Sequence, residues 1–131
     1  MADWWQWSPK KEEEALTFAV VGVGRFGTAV CRELISNGVE VLAADSSEKA
    51  IDDLRQLEPT IEARVIDCTD EESMKESGIL EMNTVVVGIS EPIEASITTT
   101  LIAKDSEGTK VKRVIARATS DLHEKLSLIH I

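Results

Sequence analysis

The chain has no tyrosine, two phenylalanines, two cysteines and two histidines, and each scarcity narrows the chemistry open to it. Hydride transfer beside a nicotinamide needs an acid–base group at the reacting carbon. With no tyrosine anywhere, and no lysine or histidine at a strand end near Ser90, the sequence offers little to fill that role. Cys31 and Cys68 lack metal-ligand spacing and read as buried reduced thiols rather than a disulfide, which points to a reducing compartment. His123 and His130 stand far from other ligand types, so surface or structural roles are expected rather than metal binding. Basic residues are outnumbered, 14 against 24 acidic, for a net charge of −10. That balance argues against sequence-independent nucleic-acid binding, which draws on a basic surface. It does not argue against a nucleotide, which feels one local site. No apolar run approaches the ~20 residues of a membrane span, and the start has no signal-peptide pattern, so a soluble domain is expected.

What remains is a composition suited to one ordinary domain: 131 residues, 43% hydrophobic, without repeats or low-complexity segments. Residues 1–15 stand apart. They hold all three tryptophans, Trp4, Trp5 and Trp7, then Ser8-Pro9 and a charged stretch from Lys10 to Glu14. Such a tail either folds back on the domain or offers an aromatic contact to a partner or a bilayer interface.

From Thr17 onward, strand and helix patterns alternate. Strands are predicted at Phe18–Val21, Val39–Asp45, Ile61–Ile66, Thr84–Ile89 and Val111–Arg117, with a further short one beginning at Leu128. Helical spacing follows each: Phe26–Leu34; from Ser46 or Ser47 to Leu57, where Pro59 prevents continuation; a short helix opened by a Thr69–Glu72 capping box; one starting at Ser90-Glu91-Pro92; and a last one capped by Thr119 or Ser120. This alternation, with right-handed crossovers, predicts an α/β Rossmann-like doubly wound parallel sheet of five to six strands, helices on both faces, in the order 3-2-1-4-5.

The first strand runs straight into Gly22-Val23-Gly24-Arg25-Phe26-Gly27, a G-x-G-x-x-G turn opening a helix, and Asp45 closes the next strand near the ~20-residue spacing of a dinucleotide fingerprint. Gly22 permits the sharp turn, Gly24 lets backbone approach a diphosphate, and Gly27 lets helix and strand pack closely. The helix start is an anion site; Arg25 either adds a charge facing a phosphate or is merely solvated. Asp45, with Ser46 beside it, either accepts from ribose hydroxyls or caps the next helix; its charge disfavours a 2′-phosphate. Asp67 and Cys68 end the third strand, where an adenine ring lies in such folds, although Asp67 can equally cap a helix. Gly88, Ile89 and Ser90 end the fourth strand beside the glycine loop, where their backbone would line the distal half of a ligand. Arg117 either reaches a phosphate or makes a surface ion pair.

Val-Gly-Val-Gly-Arg-Phe-Gly (21–27), Glu-Val-Leu-Ala-Ala-Asp (40–45), Asp-Cys-Thr-Asp (67–70) and Val-Val-Val-Gly-Ile-Ser (85–90), with Gly78-Ile79-Leu80 and Ala95-Ser96, resemble the regulator-of-potassium-conductance domain. More closely, residues from about 17 to 128 are similar to the nucleotide-binding lobe of Trk/Ktr-type potassium-uptake regulatory subunits. The resemblance implies a non-catalytic switch at the inner face of the cell membrane. Such domains form cytoplasmic homodimers, often assembled into octameric rings, docked on a membrane potassium channel or transporter. Binding of NAD(H), or of ATP versus ADP, shifts the ring and gates transport. It also implies that Gly22, Gly24 and Gly27 hold phosphates, that Arg25 approaches them or a neighbouring subunit's ligand, that Asp45 takes the ribose and Asp67-Cys68 the adenine. The family continues into a second lobe. Residues 16–131 are therefore expected to be one nucleotide-binding lobe, cut short before that continuation. Two other readings stand beside it: the cofactor domain of an NAD-dependent oxidoreductase, and a stand-alone sensor of the NADH/NAD ratio.

Overall fold

Apolar residues alternating between two faces build the sheet. Along β1 (Phe18–Val21), Ala19 and Val21 enter one core while Val20 enters the other, the two-residue period of a strand covered on both sides. The structure, a computed structural model, describes residues 16–116. The elements that follow are α1 (Arg25–Ser36), β2 (Val41–Asp45), α2 (Glu48–Leu57), β3 (Glu62–Val65), α3 (Glu71–Ser77), a 3-10 turn (Ile79–Glu81), β4 (Thr84–Val87), α4 (Ile93–Asp105) and β5 (Arg113–Ala116). All pairings are parallel, in the order β3-β2-β1-β4-β5, as the alternation predicts. The last expected helix, the sixth strand, the tryptophan tail and Arg117 lie outside the described residues.

Each face has its own core. Cys31 of α1 and Ile51 and Leu54 of α2 pack with Val20, Ala43, Ala63 and Val86. Met74 of α3, Ile79 and Leu80 of the 3-10 turn and Ala103 of α4 pack with Val21, Leu42, Val85, Val87 and Val114 on the other. Several strands are shorter than their apolar runs. β2 starts at Val41 rather than Val39, β3 spans Glu62–Val65 rather than 61–66, β4 ends at Val87 rather than Ile89, and β5 starts at Arg113 rather than Val111. The reason is pairing. β1 offers only Phe18 to Val21 before Gly22 turns away, and those four residues pair with Val41 to Ala44 on one side and Thr84 to Val87 on the other. Apolarity continues past the paired residues, where only single backbone bonds such as Gly88 N to the Val21 carbonyl and Ile66 N to the Asp45 carbonyl remain.

Two helix starts also differ from expectation. Asp70, not Thr69, caps α3, its carboxylate accepting from Ser73 N at 3.0 Å; the Thr69 hydroxyl is turned back to Asp67 at 2.6 Å. Pro92 is the residue before α4 rather than within its first turn. Of the two serines offered as cap for α2, it is Ser47, accepting from Ala50 N at 3.1 Å.

Cys31 and Cys68 are both free and buried. Burial pushes each thiol from the ordinary 9.0 up to about 12; Glu58 adds to this at Cys31, and Asp45 then Asp67 at Cys68. Because the folded values lie above the unfolded ones, this contribution to stability is fully present below about pH 9 and is lost as pH rises towards 12. The loss amounts to at most about 1.4 kcal/mol per pH unit for each thiol. Urea unfolding at pH 8 to 10.5 is expected to show stability falling above pH 9 with a slope that shrinks in the Cys31→Ala/Cys68→Ala variant. An unchanged slope would assign the alkaline loss to lysines alone.

Candidate functional site

The carboxyl end of the sheet is organised around Gly22. Its φ of +92° ends β1, and its N–H donates to the Ala44 carbonyl at 2.8 Å while Gly88 N donates to the Val21 carbonyl at 2.7 Å. A side chain at Gly22 would come within 2.7 Å of Ile89 N. Gly27 lies directly under the Gly22 carbonyl, and Gly88 faces the same oxygen from β4, where a Cβ would stand 2.6 Å away. The turn is thus wedged between α1 and the end of β4, with no side chain between the backbones. Thr28 closes it, donating Oγ1 to the Val23 carbonyl at 3.0 Å and N–H to the Gly24 carbonyl at 2.9 Å.

α1 begins at Arg25 without a side-chain cap and without an acid in its first turn. By contrast α2 and α3 are capped by Ser47 and Asp70 and carry Glu48, and Glu71 with Glu72, in their first turns; α4, uncapped, carries Glu94. Among the described residues, α1 is therefore the one helix whose positive end is left for an external anion.

Asp45 ties this turn to the second strand. Its Oδ2 accepts from Val23 N at 2.8 Å, and its Oδ1 from Ser47 N at 2.8 Å. Each carboxylate oxygen keeps a second lone-pair direction for a ligand hydroxyl. At the end of β3, Asp67 Oδ1 accepts from Thr69 Oγ1 and, at 3.0 Å, from Thr69 N. These bonds, the hydroxyl's first, hold the Asp67 carboxyl below its ordinary value. It stays ionised at neutral pH. The Cys68 carbonyl receives the buried Thr99 hydroxyl at 3.0 Å, which joins this strand end to α4.

These ends surround a cleft of about 290 Å³. Of the residues singled out in the sequence, it brings together Gly22, Gly24, Asp45, Ser46, Asp67, Cys68, Ile89 and Ser90. Four others lie apart from its walls. Val23 is buried with its N–H on Asp45, Gly27 is buried beneath the turn, Phe26 packs against the α1–α2 core, and Arg25 is exposed at the start of α1. Gly88 and Thr69, which close the fourth and third strands beside them, line the cleft too, and the structure adds Glu91, Pro92 and Ala95. A larger groove of about 1070 Å³ lies at the opposite, amino end of the strands. The smaller cleft is the candidate site, because ligands of open parallel sheets bind at the carboxyl ends where strand order reverses, and because amide donors and carboxylates converge there.

The arrangement is built to bind. Its ionisable lining consists of the Asp45, Asp67 and Glu91 carboxylates and the Cys68 thiol, held at about 12. Burial takes the Cys68 thiol up and away from the neutral range, and its bonds from Thr69 take Asp67 below it, so neither is poised for proton transfer near neutral pH. The glycine turn and helix start suit an anion, and the two strand-end aspartates suit hydroxyl and amino donors.

Residues 18–128 match the TrkA-N domain family. The chain is 39% identical over 109 residues to the Ktr system potassium uptake protein C of Bacillus subtilis (strain 168), covering 83% of this chain and 47% of that protein. It is 40% identical over 89 residues to the Ktr system potassium uptake protein A of Vibrio alginolyticus, covering 68% and 40%. The chain thus spans about half the length of the curated relatives it matches. Among solved structures, the TrkA-N domain of the inner membrane protein ybaL from Escherichia coli superposes with a TM-score of 0.66 at 24% identity, covering 82% of this chain and 76% of that one. The NAD(P)-binding domain of an exopolyphosphatase-related protein from Archaeoglobus fulgidus gives 0.68 at 24%, covering 87% and 81%. Strand order, glycine turn and sequence agree over the whole described span, and the chain belongs to the TrkA-N domain family.

Proposed function

We propose that the carboxyl-end cleft binds an adenine nucleotide, NAD(H) or ATP/ADP, and that this binding regulates potassium uptake through a membrane channel or transporter. One observation carries the reading: Gly22 and Gly24, the latter the N-cap residue of the uncapped α1, share a cleft with Asp45 and Asp67. The amides would take the phosphates, Asp45 the ribose hydroxyls and Asp67 the adenine amino group. At about 290 Å³ the cleft is at the lower end of ligand-site volumes. It would enclose the adenosine half and leave the rest of the ligand along Ile89 and Ser90. The relatives' names supply the potassium-uptake context.

In this reading the protein is a non-catalytic cytoplasmic subunit at the inner face of the membrane, a homodimer assembled into an octameric ring. α4 supports association. Its inner face is polar and small (Ser96, Thr99, Thr100, Ala103), while Ile97 and Leu101, one turn apart, stand 38% and 50% exposed. In this reading that outward pair would be covered in the assembly. A nucleotide then acts by linkage, shifting the assembly as far as it binds two arrangements unequally.

Isothermal titration of the chain with NADH, NAD, ATP and ADP, read together with light scattering, is expected to show saturable binding and a ligand-dependent change in assembly. Absence of binding by all four would remove the proposal; turnover of a hydroxy acid with NAD would replace it with an enzyme. The Arg25 side chain makes no hydrogen bond or ion pair among the described residues and is exposed at the start of α1, from which, in this reading, it would meet a terminal phosphate or a neighbouring subunit. Arg25→Ala is expected to reduce the ATP/ADP affinity ratio, by up to about tenfold for one charge-assisted contact, while ADP affinity changes little. Equal losses for both nucleotides would rule out that role.

A further inference from the structure

The groove of about 1070 Å³ at the amino ends of the strands has no part in the nucleotide site. Its apolar lining comes from residues at the margins of the two cores, Phe18, Ile35, Ile61 and Met82, each left half-buried, and from Leu16, which is 59% exposed. It is open and exceeds the ~300–1,000 Å³ of small-molecule pockets. Its charged groups, Glu40, Glu62 and Arg64, are exposed rather than aimed inward.

We infer that the groove is the seat of this chain's own tryptophan cluster, residues 4–7, folded back from Leu16. The chain itself enters the groove at Leu16, so residues 1–15 are tethered at its rim. Their local concentration there far exceeds that of any free partner. Eight residues lie between Trp7 and Leu16, nine Cα steps that reach ~30 Å when extended. Ser8-Pro9 favours a turn or extended step between the tryptophans and the charged stretch. The chemistry is complementary on both counts. Each buried tryptophan offers ~150–250 Å² of contact area, and the domain's own aromatic residues are only Phe18 and Phe26. Lys10 and Lys11 follow the cluster, and Glu40 at the rim is exposed with no ion-pair partner among the described residues. The groove and the tryptophan cluster thus match in polarity, and Lys10 and Lys11 match Glu40 in sign.

All three tryptophans lie in this segment, so the intrinsic tryptophan fluorescence of the intact chain reports on it alone. The expected result is emission shifted to shorter wavelength than in denaturant, protected from acrylamide, and independent of protein concentration. Leu16→Asp and Glu40→Lys, both at exposed positions, are expected to shift emission to longer wavelength and remove protection while circular dichroism stays native. Adding Lys10→Glu/Lys11→Glu to Glu40→Lys should restore both. Solvent-like emission in the intact chain would overturn the inference. So would protection that grows with protein concentration, that appears only on adding phosphatidylglycerol vesicles, or that survives both groove variants in a folded chain.

Discussion

Gly27→Ala is expected to cost the domain most of its stability, while Gly24→Ala, three residues away in the same turn, leaves the fold intact and removes ligand binding. A Cβ on Gly27 would overlap the Gly22 carbonyl oxygen, and that oxygen has nowhere to go. Gly22 is pinned by its N–H bond to Ala44 at 2.8 Å and faces the Gly88–Ile89 backbone on its other side. Overpacking against mobile side chains costs ~1–3 kcal/mol. Here both neighbours are backbone, so a loss of about 4 kcal/mol or more is expected, equivalent to a Tm lower by roughly 15 °C or more for a domain of this size. Gly24 is the opposite case. Nothing lies within 4 Å of a Cβ built there, and its φ is negative, at −75°. Its replacement would cost at most about 1 kcal/mol as a poorer helix cap. It would, however, place a methyl group where a diphosphate must approach the amides, and nucleotide affinity should fall at least tenfold, about 1.4 kcal/mol. Thermal melts and titrations of the two variants check both halves. A Gly27→Ala protein melting like the parent would contradict the described turn; a Gly24→Ala protein binding nucleotide like the parent would put the phosphates elsewhere.

The same contrast explains which parts of the site were legible in the sequence. Glycine spacing after Phe18–Val21 and the acid at Asp45 mark strand ends, and strand ends converge by topology. Gly22, Asp45, Asp67 and Ser90 therefore reach one cleft. What spacing does not carry is which side of a backbone each residue serves. Gly27 and Val23 belong to the motif but work inward, against Gly22 and Asp45. Gly88 belongs to the same wedge, a contact that exists only once β4 lies beside β1. Strand ends were overextended because apolar runs outlast their partners. The α3 cap is Asp70 rather than Thr69 because the Asp70 carboxylate takes the Ser73 N–H, while Thr69, both its N–H and its hydroxyl donated to Asp67, belongs to the preceding turn. α4 hides Ser96, Thr99 and Thr100 and shows Ile97 and Leu101, the reverse of the apolar-inward stripe by which an amphipathic helix is read.

Asp45→Ala is the substitution in which fold and function are hardest to separate, and the structure shows how to separate them. The carboxylate satisfies the N–H of Val23, a residue only 3% exposed. Its removal should cost about 1–3 kcal/mol for the unpaired donor even without ligand, and the loosened turn would weaken any nucleotide. A fall in affinity alone is therefore no proof of ribose contact. The discriminating quantity is the parent's preference for ATP over 2′-deoxy- and 3′-deoxy-ATP. A hydroxyl bonded to a carboxylate contributes ~1.5–3 kcal/mol, so the preference should be tenfold or more in the parent and should vanish in Asp45→Ala. Asp45→Asn retains one carbonyl oxygen for Val23 N and should recover part of the stability, but not the full preference. Loss of the negative charge should also relieve repulsion of a 2′-phosphate, narrowing the gap between NAD and NADP. If affinity for all these ligands falls in parallel and the ribose preference survives, Asp45 shapes the turn without touching the sugar.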